Sequence, residues 1–204
     1  MQATAEQRRC LDLFNQGQSL RIEAAAGSGK TTTLRYLIAR GTPHGRTLYT
    51  SFGRKAIEEA RRKFPCGVDV RTNHSLAFRA LGASWQRQGR LQGRITPLEL
   101  AQLCGWTGRT FASSAPLGFG AYAVLAALQA FCQSADATLA AKHVGRYFLP
   151  NAQRDRAFEH RVLEHALQVW NRMMRSNDAM PITHDVYLKA WALQHPQMGY
   201  ATIL

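Results

Sequence analysis

The stretch Ile22 to Leu34, IEAAAGSGKTTTL, decides how this chain is read. An apolar approach, a run of small residues, and Gly29–Lys30–Thr31 opening a helical pattern describe a phosphate-binding loop between a strand and a helix. Positions 24 to 31 fit GxxxxGK[ST], with Ala24 in the first glycine position. Small residues let backbone N–H groups close around a β-phosphate, while the following helix points its N-terminus at the same charge. Ala26, Gly27, Ser28 and Gly29 form the expected cradle, and Thr32 continues the first helical turn. Lys30 is placed to reach the β- and γ-phosphates, and the Thr31 hydroxyl to hold Mg²⁺. Lys30 and Thr31 are therefore the catalytic candidates, and Thr31 the metal candidate. The loop alone does not choose among kinases, GTPases and motor ATPases.

Outward from the loop, helical and strand patterns alternate. TAEQRRCLDLFNQG is an amphipathic helix with Cys10, Leu11 and Phe14 on one face, closed by Gly17. LRIEA, RTLYTSF and VDVRT read as strands, and the helices Thr31 to Arg40 and RKAIEEARRKF lie between them. Such alternation implies an α/β fold with a parallel sheet. The rhythm changes after about Gly82. GASWQRQGRLQGR is polar, glycine-bearing and basic, and reads as a linker or exposed loop. TPLELAQLCG then supplies Thr as N-cap, Pro at the first helical position and Glu where a capping box needs it. AYAVLAALQAFC and RAFEHRVLEHALQVWNRMMR are further helices, the second with Phe158, Val162, Ala166, Val169, Trp170 and Met173 on one packing face. THDVYLKAWAL is a short helix, and YATIL reads as the start of a strand.

Lys and Arg total 26 against 13 acidic residues, a net charge of +13 over 204 residues. A surplus of that size favours a polyanionic partner, nucleic acid ahead of an acidic membrane surface. Cys10, Cys66, Cys104 and Cys132 are far apart and lack metal-ligand spacing, which suits thiols in a reducing compartment. The polar start MQATAEQRRC is no signal peptide. Ala121 to Cys132, the most apolar stretch, falls far short of the ~20 residues that span a bilayer. The expected location is cytoplasmic: nucleoid-associated in a bacterium, nuclear in a eukaryote.

Three stretches beside the loop carry a resemblance. TAEQRRCL resembles the glutamine motif of the UvrD/Rep-like superfamily 1 DNA helicases, with Gln7 where that motif reads adenine. TLYTSFGRKAIEEARRKF is similar to their motif Ia, and VRTNHSLAFRALG to motif Ib. MPITHDVYLKAWALQHPQMGYATIL resembles the approach to motif II in the F-box DNA helicase branch, whose middle region this chain matches in helical character and in short words such as FCQSAD. The resemblance implies a P-loop RecA-like parallel sheet, an incomplete domain 1A, with an inserted all-helical 1B subdomain. Residues 1–85 would be the first part of 1A, 86–180 the helical insertion, and 181–204 the return to 1A. It further implies ATP and Mg²⁺ as cofactors and single-stranded DNA, rather than RNA or a membrane, as partner. ATP would sit between two RecA-like domains, and its hydrolysis would drive movement 3′ to 5′.

Several residues admit two readings. Thr4 and Gln7 have capping-box spacing, so Gln7 either closes the helix N-terminus or contacts adenine. Phe52, followed by Arg54 and Lys55, suits base stacking with phosphate pairing, or is a core residue at a strand end. Thr72, His74 and Ser75 alone read as an N-cap with a surface histidine; the resemblance makes them phosphate contacts. Many family members carry Asn where Gly53 stands and Arg where Thr32 stands, so those contacts are absent or supplied elsewhere. The family's motif II carboxylates would follow Leu204, and the second RecA-like domain with its arginine is a missing half required for activity. The expectation is a helicase N-terminal part that binds without turning over. A stand-alone nucleic-acid-binding module with a vestigial loop, or a small P-loop phosphotransferase, are the rival readings.

Overall fold

Helix α1 (Ala5–Asn15) begins at Thr4, whose side chain accepts from the Gln7 amide while the Gln7 side chain accepts from the Thr4 amide. This reciprocal cap contributes about 1 kcal/mol to the helix. The computed structural model describes residues 3–25, 27–41, 45–111, 117–145 and 156–204. These residues form two compact units, Met1–Leu76 with Gln197–Leu204, and Ala77–Pro196. The sequence places its boundaries at 85/86 and 180/181, whereas these units divide at 76/77 and 196/197.

In the first unit, α2 (Lys30–Arg40) follows the phosphate loop and ends at Gly41. A Cβ on Gly41 would lie 2.7 Å from the Phe14 ring, so only glycine lets α1 approach there. Strands β1 (Thr47–Ser51), β2 (Val68–Thr72) and β3 (Thr202–Ile203) form a parallel sheet in the order β2-β1-β3. Helix α3 (Arg54–Lys63) connects β1 to β2 and buries Ile57 and Ala60 against Phe64 and Val70. The Tyr49 and Phe64 rings lie 4.8 Å apart in the same cluster. Each such apolar side chain, fully buried, stabilises by about 1.5–3 kcal/mol.

The expected strand LRIEA does not form. Residues 21–25 carry no regular structure, and Arg21 and Glu23 pair with each other in solvent. A cleft of about 460 Å³ has Leu20 and Ile22 among its walls, together with Ala201 to Leu204.

The second unit is helical: α4 (Asn73–Ala77) leads into it, followed by a π-helical turn (Phe78–Gly82) and α5 (Ala83–Arg87). Helix α6 (Pro97–Cys104) has the predicted Thr96–Glu99 capping box and Pro at its start, with left-handed Gly105 after it. Helices α7 (Leu117–Cys132), α8 (Arg156–Met174) and α9 (His184–Leu193) complete it. The predicted face of α8 is buried at Phe158, Val162, Ala166, Val169 and Met173, against Phe111, Leu128 and Phe131.

The polar stretch 82–94 is not a linker. Arg90 is 6% exposed and donates to the carbonyls of Met173 (2.9 Å), Arg175 (2.8 Å) and Met180 (3.0 Å). A guanidinium has five donors, so one side chain satisfies three carbonyls where α8 ends and the chain turns. Leu91 bridges Ile182 in parallel beside it. A polar composition cannot reveal an arginine whose partners lie some 85 residues away.

Candidate nucleotide and nucleic-acid site

The phosphate loop takes its shape from two glycines. Gly27 (φ 78°) and Gly29 (φ 89°) lie in the left-handed region, where a side chain is strained. Gly29 caps α2 without any side-chain hydrogen bond, so the helix presents its first amides at the loop. The Lys30 ammonium donates to the carbonyls of Ala24 (2.6 Å) and Ala25 (2.7 Å), and the Ser28 hydroxyl also donates to Ala25 O (2.7 Å). The lysine thus folds over its own loop, and the carbonyls hold a mobile cation where an anion would be met. Thr31 is half-buried in the first turn of α2 and Thr32 is exposed. Ala26, also assigned to the cradle, lies outside the described residues.

Gln7 meets the same, N-terminal end of α2. It completes the cap of α1, and its Nε2 donates to Thr33 Oγ1 at 3.1 Å. Thr33 is 7% exposed and did not figure among the sequence candidates; the contact spans 26 positions, which no local pattern signals.

The second cluster forms where two parallel strands end together. The register pairs Thr50 with Arg71 and Ser51 with Thr72, so the residues that follow β1 and β2 emerge side by side. Phe52 is 71% exposed, which removes the core alternative for it. The His74 ring stands 6.4 Å from the Phe52 ring, edge to face at 73°. Arg54 and Lys55 are exposed in the first turn of α3, where the helix dipole disfavours cations by about 0.3–1 kcal/mol each. Residues kept in an unfavourable place need another reason to be there. Thr72 Oγ1 accepts from the Ser75 amide (3.0 Å) and Ser75 Oγ donates to Thr72 O (2.8 Å), so the two hydroxyls shape the turn that carries His74. Thr50 reaches across to Asn73 and ties β1 to the start of α4; the sequence pointed to neither.

At the opposite end of the sheet, Asp69 accepts two bonds from Arg71 Nε (2.8 and 2.9 Å) and one from the Tyr200 hydroxyl, while Arg46 lies 4.7 Å over the Tyr200 ring. Burial pushes the Asp69 carboxyl up, but its Arg71 and Tyr200 bonds outweigh that and hold it below the usual aspartate range. The cluster clasps the segment before β3 to β2 and leaves Asp69 no role at the phosphate loop.

In the helical unit, Ser134, His143 and Asp136 converge, yet they are not a nucleophile and its base. Both Asp136 Oδ2 (2.8 Å) and Ser134 Oγ (3.3 Å) meet the same nitrogen, His143 Nε2, and Nδ1 faces the Ala140 amide at 3.0 Å. Nδ1 also lies 3.1 Å from Ala140 O, and Ser134 Oγ donates its proton to Phe131 O (2.9 Å), so the serine has none to offer the imidazole. Lys189, also buried, donates to the carbonyls of Ser134 and Asp136, and the whole group is a brace. Among the described residues no group of three His, Cys, Asp or Glu side chains is placed to hold a metal, and no helix is long and apolar enough to cross a membrane.

Comparison with known proteins adds three findings. The profile of the UvrD/REP helicase N-terminal domain matches residues 3–192. F-box DNA helicase 1 of Gallus gallus is 31% identical over 98% of this chain and 20% of its own length. F-box DNA helicase protein 1 of Schizosaccharomyces pombe is 24% identical over 91% of this chain and 22% of its own. The chain therefore spans about a fifth of the length of these curated relatives. No solved structure matches it.

Proposed function

The chain belongs to the UvrD/Rep helicase family through its N-terminal domain, and on that premise we propose that it is the ATP- and single-stranded-DNA-engaging part of an ATP-dependent, 3′-to-5′ DNA helicase. The observation that carries this reading is the loop itself: left-handed Gly27 and Gly29, a helix N-terminus without a side-chain cap, and a lysine that donates to two loop carbonyls.

The loop residues suit a magnesium-bound triphosphate. Lys30 leaves two carbonyls and takes up phosphate oxygens, a charge-assisted exchange that favours the anion. The α2 amides add their dipole, and the Thr31 hydroxyl is the metal ligand. Bound Mg²⁺ neutralises charge on the β- and γ-phosphates. Gln7 faces the base. Phe52 stacks on a nucleobase while His74, Arg54 and Lys55 address the strand's phosphates. A sheet that holds the ends of β1 and β2 in register lets one movement of the unit shift both contacts.

Turnover requires a carboxylate on the metal, a water-positioning group and an arginine at the transition state. Asp69 is committed to Arg71 and Tyr200, Glu59 to Lys63, and Glu23 to Arg21. These pairings support reading the 204-residue polypeptide as a binder, with hydrolysis belonging to the longer helicase. Calorimetry with Mg-ATP, repeated on Lys30→Ala, tests this: binding in the first and markedly weaker binding in the second are expected. DNA-stimulated hydrolysis by this polypeptide alone, abolished by Lys30→Ala, would overturn the assignment of turnover elsewhere. Absence of nucleotide binding, with DNA affinity the same with and without Mg-ATP, would make the chain a nucleic-acid-binding module instead.

A further inference from the structure

Thr33 joins the two ends of the nucleotide site. Its amide donates to Gly29 O at 2.9 Å, the ordinary helical bond, and its hydroxyl turns back to the same carbonyl at 3.3 Å. A hydroxyl has one proton and two lone pairs. With the proton given to Gly29 O, Thr33 Oγ1 faces Gln7 as an acceptor, and the Gln7 side chain answers with Nε2 at 3.1 Å. On its other side Gln7 Oε1 accepts from the Thr4 amide at 3.1 Å. The chain of bonds has one direction: Thr4 N–H to Gln7 Oε1, Gln7 N–H to Thr33 Oγ1, Thr33 O–H to Gly29 O.

That direction leaves the carboxamide a single orientation. Turning it over would set its NH₂ against the Thr4 N–H, donor to donor, and its oxygen against a Thr33 lone pair. A carboxamide still has one N–H and one oxygen lone pair unused after these two bonds. What remains is a donor and an acceptor side by side. Adenine presents the complement on its N7 edge, an acceptor at N7 and a donor at N6. Guanine presents two acceptors there, N7 and O6, of which Gln7 could satisfy only one. The capping role of Gln7 and base reading are then compatible, because the cap consumes only one valence of the amide.

We propose that Thr33 is the positioning residue that fixes the Gln7 carboxamide and so sets a preference for adenine over guanine nucleotides, tying that choice to the phosphate-loop carbonyl of Gly29. This rests on the nucleotide-binding reading above. Thr33 touches neither base nor phosphate; its action is through Gln7 and Gly29. Its near-complete burial keeps water from competing for the hydroxyl, which is why a threonine can hold the reader still.

The experiment compares affinities for the β,γ-imido analogues of ATP and GTP, and for tripolyphosphate with Mg²⁺, in the wild-type chain, Thr33→Val, Thr33→Ser and Gln7→Ala. Valine keeps the shape and removes the hydroxyl. The adenine-over-guanine ratio should fall about 3- to 10-fold in Thr33→Val, the worth of one neutral hydrogen bond. Tripolyphosphate affinity should hold, and Thr33→Ser should restore the ratio. Adding Thr33→Val to Gln7→Ala should change the ratio no further, since nothing is left to position. An unchanged ratio in Thr33→Val, or equal losses for all three ligands, would overturn the role of Thr33 while leaving nucleotide binding standing. Failure of the wild type to bind any of them would overturn both. If Thr33→Val does not fold, the wild type answers alone, with the Gln7 side-chain amide resonance identified by its loss in Gln7→Ala. One Gln7 amide proton should exchange slowly without ligand, and the second should slow only with the adenine analogue. Equal, fast exchange of both without ligand overturns the proposal.

Discussion

The sheet unit buries a small cluster, Ile57, Ala60, Phe64 and Val70, whereas the helical unit packs Phe111, Phe131, Phe158, Met173, Met180 and Ile182 into one large core. The candidate chemistry is distributed the other way. Lys30, Phe52, Arg54 and Lys55 are exposed in the sheet unit, while the polar cluster of the helical unit, His143 with Asp136 and Lys189, is spent on bracing loops. A side chain that must meet a ligand cannot also be buried in a core, so the unit that carries the site gives up apolar burial. The two units should therefore respond differently to substitution: one in stability, the other in binding.

The largest expected effect tests the helical core. Phe131→Ala should cost about 3–5 kcal/mol in denaturant unfolding, with nucleotide affinity below the transition unchanged; a matching fall in affinity would break the contrast. Arg90→Met should cost about 3 kcal/mol, since it strands three carbonyls at the end of α8; a smaller loss would mean that water replaces the guanidinium. In the sheet unit, Lys30→Ala should weaken Mg-ATP binding by about 10- to 100-fold with the melting temperature held, the worth of one charge-assisted bond. Phe52→Ala should cost about 1–3 kcal/mol of affinity for a single-stranded oligonucleotide and nothing in stability. An unfolding midpoint that drops with it would mean that Phe52 supports the fold.

The smallest effect concerns acid. The Asp69 carboxyl sits below its unfolded value, so it stabilises the sheet unit above that value and loses the contribution as pH falls through the depressed folded one. Asp178, held down mainly by its Arg172 bonds, does the same in the helical unit. Both losses belong below about pH 4. Tyr200→Phe removes one donor to Asp69, so its carboxyl should titrate at higher pH while Asp178 does not move, as followed by carboxyl chemical shifts. A parallel shift at Asp178 would show the two units to be coupled.

Much of the architecture is legible because it rests on local rules. The Thr4–Gln7 and Thr96–Glu99 caps, Pro97 and the apolar face of α8 follow from spacing alone. The expected strand at 20–24 fails because a strand is a pairing, and spacing says nothing about the partner. Residues 82–94 read as a linker or exposed loop, and the linker alternative fails because Arg90 is polar by type and buried by context.

The family and the phosphate loop follow from the residues alone, since backbone freedom at Gly27 and Gly29 and the charge of Lys30 belong to those residues wherever they are placed. Only the tertiary structure decided which of them act together. It set Phe52 beside His74 through a parallel register, closed Lys30 over its own loop, and gave Thr33 both Gln7 and Gly29. Those relations depend on hydrogen bonds directed in space between residues up to dozens of positions apart, and a one-dimensional pattern carries types and spacings but no directions.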